Sequence, residues 1–313
     1  MIGRPQRAFR AGRIGAAVGL RGQTAAFRAT HDDEEYTPAH EHSVSALPLP
    51  HYYTAVTVPS CPIAAEALHR ALMIDLYYWP TPNGQKITIM LEETGLRHRV
   101  IPINIGRGDQ FDPAFLAISP NNRMPVIVDR EPLGGGAPIS VFESGAILMY
   151  LADKYGKFLA KDGAKRWDTI QWLFFQMASV GPMFGQANHF NTYTKENIQY
   201  AKDRYNNESL RLYRVMDNRL RETQWLGCDD YTIADMATYA WTKSHKDRGV
   251  TEKDYPNFIR WFNAMAARPA VQRNDKMSTE IRERMNKQAE GKEAVNIYDT
   301  KDNNARLTAA TTR

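Results

Sequence analysis

The sequence predicts an α/β domain followed by an all-α domain. Three observations carry that expectation. Short runs with strand periodicity fall between residues 74 and 142 and stop there. From about Trp167 onward the apolar residues recur at helical spacing only. A polar segment with two glycines, Lys154 to Lys165, separates the two regimes.

The elements follow in order. Ile74, Leu76 and Tyr78 alternate with Asp75 and Tyr77, which is strand period. Pro80-Thr81-Pro82-Asn83 breaks the strand, and Ile87, Met90 and Leu91 then mark a helix that Gly95 stops. Val100 to Ile105 reads as the second strand, Gly106 to Gln110 as a turn, and Phe115, Leu116 and Ile118 as a short helix ended before Pro120. Val126-Ile127-Val128 and Ile139 to Phe142 form a hairpin turned by Gly134-Gly135-Gly136, and a helix runs from about Ser144 to Tyr155. A β-α-β half followed by a hairpin and helix is the order of a thioredoxin-like domain, one sheet covered by helices on both faces.

After the linker, Trp167, Ile170, Phe174 and Met177 mark a long helix that Gly181-Pro182 interrupts. Ile198, Ala201, Tyr205, Leu212, Val215 and Met216 mark a second helix. Thr232-Ile233-Ala234-Asp235 opens a third with a capping box that uses Asp in place of Glu. Pro256 starts a fourth, carrying Phe258, Ile259, Trp261, Phe262 and Met265 and ending at Arg268-Pro269. The expected organisation is a leader over 1–72, a thioredoxin-like domain over 73–155, a linker over 156–166, a helical domain over 167–275 and a charged, weakly helical tail over 276–313, its last twenty or so residues polar and mobile.

The leader stands apart. Arg4, Arg7, Arg10, Arg13, Arg21 and Arg28 recur among small residues with no acid before Asp32, which resembles an organellar transit peptide. Two other readings are preferred: a start assigned too early, with Met73 as the initiator, or simple disorder. No apolar run is long enough to cross a bilayer, so a soluble, cytoplasmic protein without membrane contact is expected. The net charge of +5 is spread thinly, with no basic stripe of the kind that binds nucleic acid. Cys61 and Cys228 are the only cysteines. They form no CxxC pair and no metal-spaced cluster, so neither a metal site nor a protein dithiol is expected.

The chemistry of the first turn is informative. A helix N-terminus offers unpaired N–H groups and a partial positive charge, and so holds an anion or a thiolate; Thr81 and Asn83 add a hydroxyl and an amide there. Taken with Ile118-Ser119-Pro120-Asn121-Asn122-Arg123-Met124-Pro125 and Phe142-Glu143-Ser144-Gly145-Ala146-Ile147-Leu148, the stretch Thr81-Pro82-Asn83-Gly84-Gln85-Lys86 resembles the nu class of bacterial glutathione transferases, the glutathione-dependent disulfide-bond reductases. The fungal nitrogen-regulatory branch shares these motifs more loosely. The resemblance covers about residues 73 to 275. It implies glutathione as co-substrate, no metal, small disulfide or electrophilic second substrates, and a homodimer.

The resemblance also implies roles. Thr81 and Asn83 face the glutathione sulfur and are the catalytic pair, with Asn83 also contacting the ligand. Glu143 pairs the γ-glutamyl ammonium and Ser144 receives the carboxylate; read from the residues alone, the two merely cap a helix equally well. Met124, before a cis Pro125, offers its backbone to the cysteinyl amide. Gln110 binds the glycyl carboxylate or is an ordinary surface glutamine, and Arg204 reaches glutathione across the dimer or is a solvated helix charge. His189 borders the second-substrate pocket or is structural, and Trp79, Phe184 and Phe190 are its expected aromatic lining.

Energies are consistent with Thr81 and Asn83. A thiol with pKa near 8.5 is only a few per cent ionised at neutral pH, and lowering it by about two units takes roughly 2.7 kcal/mol. A hydrogen bond to a charged group contributes about 1.5–3 kcal/mol and a helix N-terminus about 0.3–1 kcal/mol. The expected function is a glutathione-dependent disulfide-bond reductase in which bound glutathione supplies the thiolate. The alternatives are a detoxifying glutathione transferase and a non-catalytic glutathione-binding regulator.

Overall fold

A computed structural model of the chain describes residues 74–289 and 295–311. The leader over 1–72, the alternative start Met73 and Cys61 lie outside the described residues.

The first half contains β1 (Ile74–Tyr78), α1 (Pro82–Thr94), β2 (His98–Pro102), a 3-10 turn (Asp109–Phe111), the short α2 (Pro113–Leu116), β3 (Val126–Asp129), β4 (Ile139–Phe142) and α3 (Ser144–Tyr155). The sheet order is β2-β1-β3-β4, with β1 parallel to β2, and β3 antiparallel to both β1 and β4. This is the thioredoxin-like arrangement. Alternation along β1 sorts its side chains: Ile74, Leu76 and Tyr78 join the main core with α1 and α3, while Tyr77 turns to a small cluster of Ile103, Phe115 and Val126. The second strand lies a little earlier than Val100 to Ile105 because its register on β1 begins at His98.

Local chemistry fixes α1. Thr81 is extended (φ −95°, ψ 164°), its hydroxyl accepts from the Gly84 N–H at 3.3 Å, and Pro82 occupies the first turn where no N–H is needed. Gly84 is required sterically, since a Cβ there would lie 2.2 Å from the Trp79 carbonyl oxygen. At the other end Gly95 takes φ 68° and closes the helix through its N–H to the Leu91 carbonyl.

The second half is helical: α4 (Gly163–Phe175), a π-helical segment (Gln176–Val180), α5 (Gly181–Asn188), a second π-helical segment (His189–Tyr193), α6 (Gln199–Glu222), α7 (Ile233–Thr242), α8 (Pro256–Ala266), α9 (Pro269–Ala289) and α10 (Thr300–Thr311). The capping box of α7 is present, with the Thr232 hydroxyl and the Asp235 carboxylate both engaged.

Three expectations differ from the structure. Gly181-Pro182 does not interrupt the chain: Gly181 is helical (φ −58°, ψ −58°), and the wider π register just before it absorbs the missing proline N–H. Trp167 and Phe174 are exposed, and the inward face of α4 is Thr169 and Leu173 instead. Last, the tail expected from 276 begins inside α9. That helix packs on α1 and buries Asn274, Ser278, Ile281 and Met285. Ser278 hydrogen-bonds Tyr78 at 2.7 Å, and Thr88 donates to Asn274. Polar residues that satisfy one another look solvent-facing to a hydropathy pattern. Residues 300–311 are likewise helix.

Candidate functional site

The site is built where the N-terminus of α1 meets the start of α3 and the helical half. Thr81 is half-buried, and besides capping α1 its hydroxyl donates to the Met124 sulfur at 3.7 Å. The Met124-Pro125 peptide is cis. Asn83, in the first turn of α1, accepts the Trp241 indole N–H on Oδ1 at 2.9 Å. Its Nδ2 donors are thereby the end of the amide left for a ligand.

Glu143 precedes α3 with φ 68° and ψ 115°, a conformation side chains rarely adopt, and makes no side-chain cap. It is exposed and accepts from the Asn121 amide at 3.1 Å. The capping alternative therefore has no hydrogen bond behind it at Glu143, and strain of this kind persists where surroundings enforce it. Ser144 is the first residue of α3 and is buried; its hydroxyl accepts from the Lys86 ammonium at 3.1 Å and contacts the Met177 sulfur at 3.8 Å.

Gln110 sits in the 3-10 turn and is buried, with its Nε2 on the Ile105 carbonyl at a long 3.4 Å and its Oε1 without a protein partner. Arg204 is exposed on α6, one turn from Glu208, and makes no side-chain hydrogen bond to the residues above. So Thr81 with Met124, and Ser144 with the helix carrying Thr81 and Asn83, are brought together, while Arg204 is not joined to them within one protomer.

His189 is half-buried, between the Phe190 ring at 5.0 Å and the Tyr298 ring at 5.2 Å. Tyr298 also stacks on Tyr193 at 4.7 Å, and the nearby Val295 N–H donates to the Gly106 carbonyl at 2.7 Å. The final segment thus runs from the loop preceding Gln110 to His189. Of the expected aromatic lining, Trp79 and Phe190 are half-buried but Phe184 is fully buried, stacked on Tyr213 at 4.8 Å. It belongs to the core and cannot line an open pocket.

Sequence reasoning missed Lys86, Trp241 and Gln176. Lys86 is 1 % exposed; its Nζ donates to Ser144 Oγ and to Gln176 Oε1 at 2.7 Å, and meets Met177 Sδ at 3.4 Å. Burial pushes its pKa down to about 7, against the opposite pull of Glu143. A signal existed: Lys86 stands three and four residues before Ile89 and Met90, on the apolar face of α1. Among the described residues no cluster of histidine, cysteine or acidic groups could hold a metal, and no helix is long and apolar enough to cross a membrane.

The donor set suits glutathione: an exposed carboxylate for an ammonium, a serine at a helix N-terminus for a carboxylate, and a hydroxyl and amide at a second helix N-terminus for a sulfur.

Comparison with known proteins agrees. Residues 76–159 match the glutathione S-transferase N-terminal domain family, and residues 171–269 match the C-terminal domain family. The disulfide-bond oxidoreductase YfcG of Escherichia coli K12 is 48 % identical over 199 residues, which cover 64 % of this chain and 93 % of that one. The disulfide-bond oxidoreductase YghU of the same organism is 40 % identical over 213 residues, covering 64 % and 73 %. A crystal structure of a glutathione transferase family member from Pseudomonas fluorescens Pf-5, with two glutathione molecules bound, superposes with a TM-score of 0.61 at 43 % identity, covering 64 % of this chain and 92 % of that one.

Proposed function

The chain belongs to the glutathione S-transferase family, and from that premise we propose that it is a glutathione-dependent disulfide-bond reductase in which bound glutathione supplies the reactive thiolate. One observation carries the reading. The helix N-terminus poised for a thiolate is capped by Thr81, and the one described cysteine, Cys228, is buried in the helical half with its Sγ on the Asp230 carbonyl at 3.6 Å. The protein provides the anion site and the substrate provides the sulfur.

A first glutathione thiolate attacks one sulfur of the disulfide, forming a mixed disulfide and expelling a substrate thiolate that takes up a proton. A second glutathione thiolate attacks the glutathione sulfur of that mixed disulfide, giving glutathione disulfide and the second substrate thiol. Two electrons pass from two glutathiones to one disulfide. The two glutathione molecules in the Pseudomonas fluorescens relative match that stoichiometry. Thr81 Oγ and Asn83 Nδ2 stabilise the thiolate, Glu143 and Ser144 hold the γ-glutamyl end, the Met124 backbone pairs the cysteinyl amide, and Gln110 turns its amide to the glycyl carboxylate.

A homodimer completes the reading. β4 is an edge strand whose Ile139 and Phe142 are each 38 % exposed, and Trp167 and Phe174 are exposed on α4. Covering them with a second copy also gives Arg204 a ligand to reach. The reducing cytoplasm, which keeps glutathione as thiol, is the compartment that fits.

The test is reduction of hydroxyethyl disulfide by glutathione, coupled to glutathione reductase, beside conjugation of chlorodinitrobenzene. Strong reduction with weak conjugation is expected. Conjugation alone would make the protein a detoxifying transferase, and glutathione binding with neither activity would make it a regulator.

A further inference from the structure

We propose that Lys86 is the positioning residue of the γ-glutamyl pocket: its ammonium, held against Ser144 Oγ and Gln176 Oε1, turns the Ser144 hydroxyl proton toward the ligand carboxylate and lays a positive charge behind it. The inference rests on the glutathione reading above.

The geometry is specific. Lys86 is the one charged group that α1 sends into the seam between the two halves at this point, and it touches both. On one side it donates to Ser144 at 3.1 Å; on the other it donates to Gln176 at 2.7 Å, the first residue of the π-helical segment. A serine hydroxyl that accepts from an ammonium keeps its own proton for a different acceptor. The acceptor within the protein is the Met177 thioether at 3.8 Å, a weak one that a carboxylate oxygen outcompetes. π-helical turns concentrate at functional sites, and this one places Gln176 and Met177 together against a buried ammonium.

The charges around Lys86 are few. Glu143, at the start of α3, acts to keep it protonated. From α7, Lys243 turns instead to Gln85 and to Asp275 of α9. Ser144, Gln176 and Met177 are neutral. With burial pulling its pKa down to about 7, Lys86 holds its proton less firmly than a solvated lysine does. A carboxylate arriving next to Ser144 completes the charge balance and draws a proton onto Lys86, so ligand binding and proton uptake are linked.

The experiment titrates S-methylglutathione, which has no thiol proton to release, into the full-length protein at pH 7 by calorimetry in buffers of different ionisation enthalpy. Net proton uptake is expected, since a carboxylate arriving beside Ser144 raises the affinity of Lys86 for its proton. Lys86→Met should abolish the uptake, weaken binding at least roughly tenfold at pH 6.5 and flatten the pH dependence of Kd, as the loss of one charge-assisted contact requires. Ser144→Ala should weaken binding too, and adding Lys86→Met to it should cost less than Lys86→Met costs the wild type, the remainder being the charge behind the carboxylate. The wild-type uptake, followed from pH 6 to pH 8, needs no variant, so it decides the matter even if Lys86→Met misfolds. Tight binding with no proton uptake anywhere in that range would overturn the role of Lys86 and leave the glutathione reading standing. Failure of the wild type to bind either S-methylglutathione or glutathione would overturn both.

Discussion

The Trp241 indole N–H donates to Asn83 Oδ1 at 2.9 Å, so a helix of the second half sets the orientation of an amide in the first. An asparagine amide can present either its oxygen or its nitrogen to a ligand, and only the nitrogen stabilises a thiolate. Trp241 decides between them. Trp241→Phe keeps an aromatic ring at the position but removes the hydrogen bond, together with the outer edge of the indole that faces Gly185. Turnover in the coupled disulfide assay should fall roughly tenfold, the lower end of what losing one hydrogen bond to a charged group costs, and by more than the variant's smaller ring lowers the melting temperature.

Thr81 does two jobs that substitution can separate. Thr81→Ala removes the cap that accepts from Gly84 and should cost about 1 kcal/mol of stability by urea denaturation. It also removes a hydrogen bond to the thiolate, so the acid limb of kcat/KM against pH should move up by about 1–2 units. Thr81→Ser restores both. An unmoved acid limb in Thr81→Ala would take the hydroxyl out of the chemistry and leave it as a cap alone.

How much of this was legible in the chain depends on what each residue contacts. The strand, turn and helix around Thr81 could be read because Pro80, Pro82 and Gly95 punctuate them and Ile74, Leu76, Tyr78 and then Ile87, Met90, Leu91 keep strand and helix spacing. The Asp235 capping box was legible because its partners lie within three residues. Trp241 and Gln176 were not, because they meet Asn83 and Lys86 from 158 and 90 positions away. The inward face of α9 was hidden for a related reason: Asn274 and Ser278 are polar, and their partners Thr88 and Tyr78 lie 186 and 200 residues earlier. Phe184 suits a pocket by its chemistry, and only its packing against Tyr213 shows that it is core.

Glu143 tests whether its backbone is held for binding. At φ 68° a non-glycine residue stores strain of about 1–3 kcal/mol. Glu143→Gly relieves it, while glycine gives back about 0.5–1 kcal/mol in the unfolded chain. The variant should therefore melt no lower than the wild type, yet bind glutathione at least about tenfold more weakly because the ammonium loses its carboxylate. A lower melting temperature with unchanged Kd would mark Glu143 as structural.

Asp235 ties the start of α7 to Leu226 and Trp261, and the pH dependence of its contribution has a definite sign. Its carboxylate accepts from the Leu226 N–H at 2.8 Å, the Thr232 N–H at 2.9 Å, the Thr232 hydroxyl at 3.1 Å and the Trp261 indole at 2.8 Å. Burial pushes the carboxyl up to about 6 in spite of these bonds, each of which pulls the other way. The unfolded value is near 3.9. Between the two the folded chain binds the proton more tightly, so this contribution is fully present below about pH 4 and is lost as pH rises through about 6. Asp235→Asn has the same shape and cannot ionise. Measured by urea denaturation, wild-type stability should fall relative to Asp235→Asn by about 1–3 kcal/mol between pH 4 and pH 7. Asp235→Ala, which strands the donors in the core, should cost at least about 3 kcal/mol throughout. Parallel wild-type and Asn profiles would mean that the four hydrogen bonds outweigh burial and keep Asp235 ionised across the range.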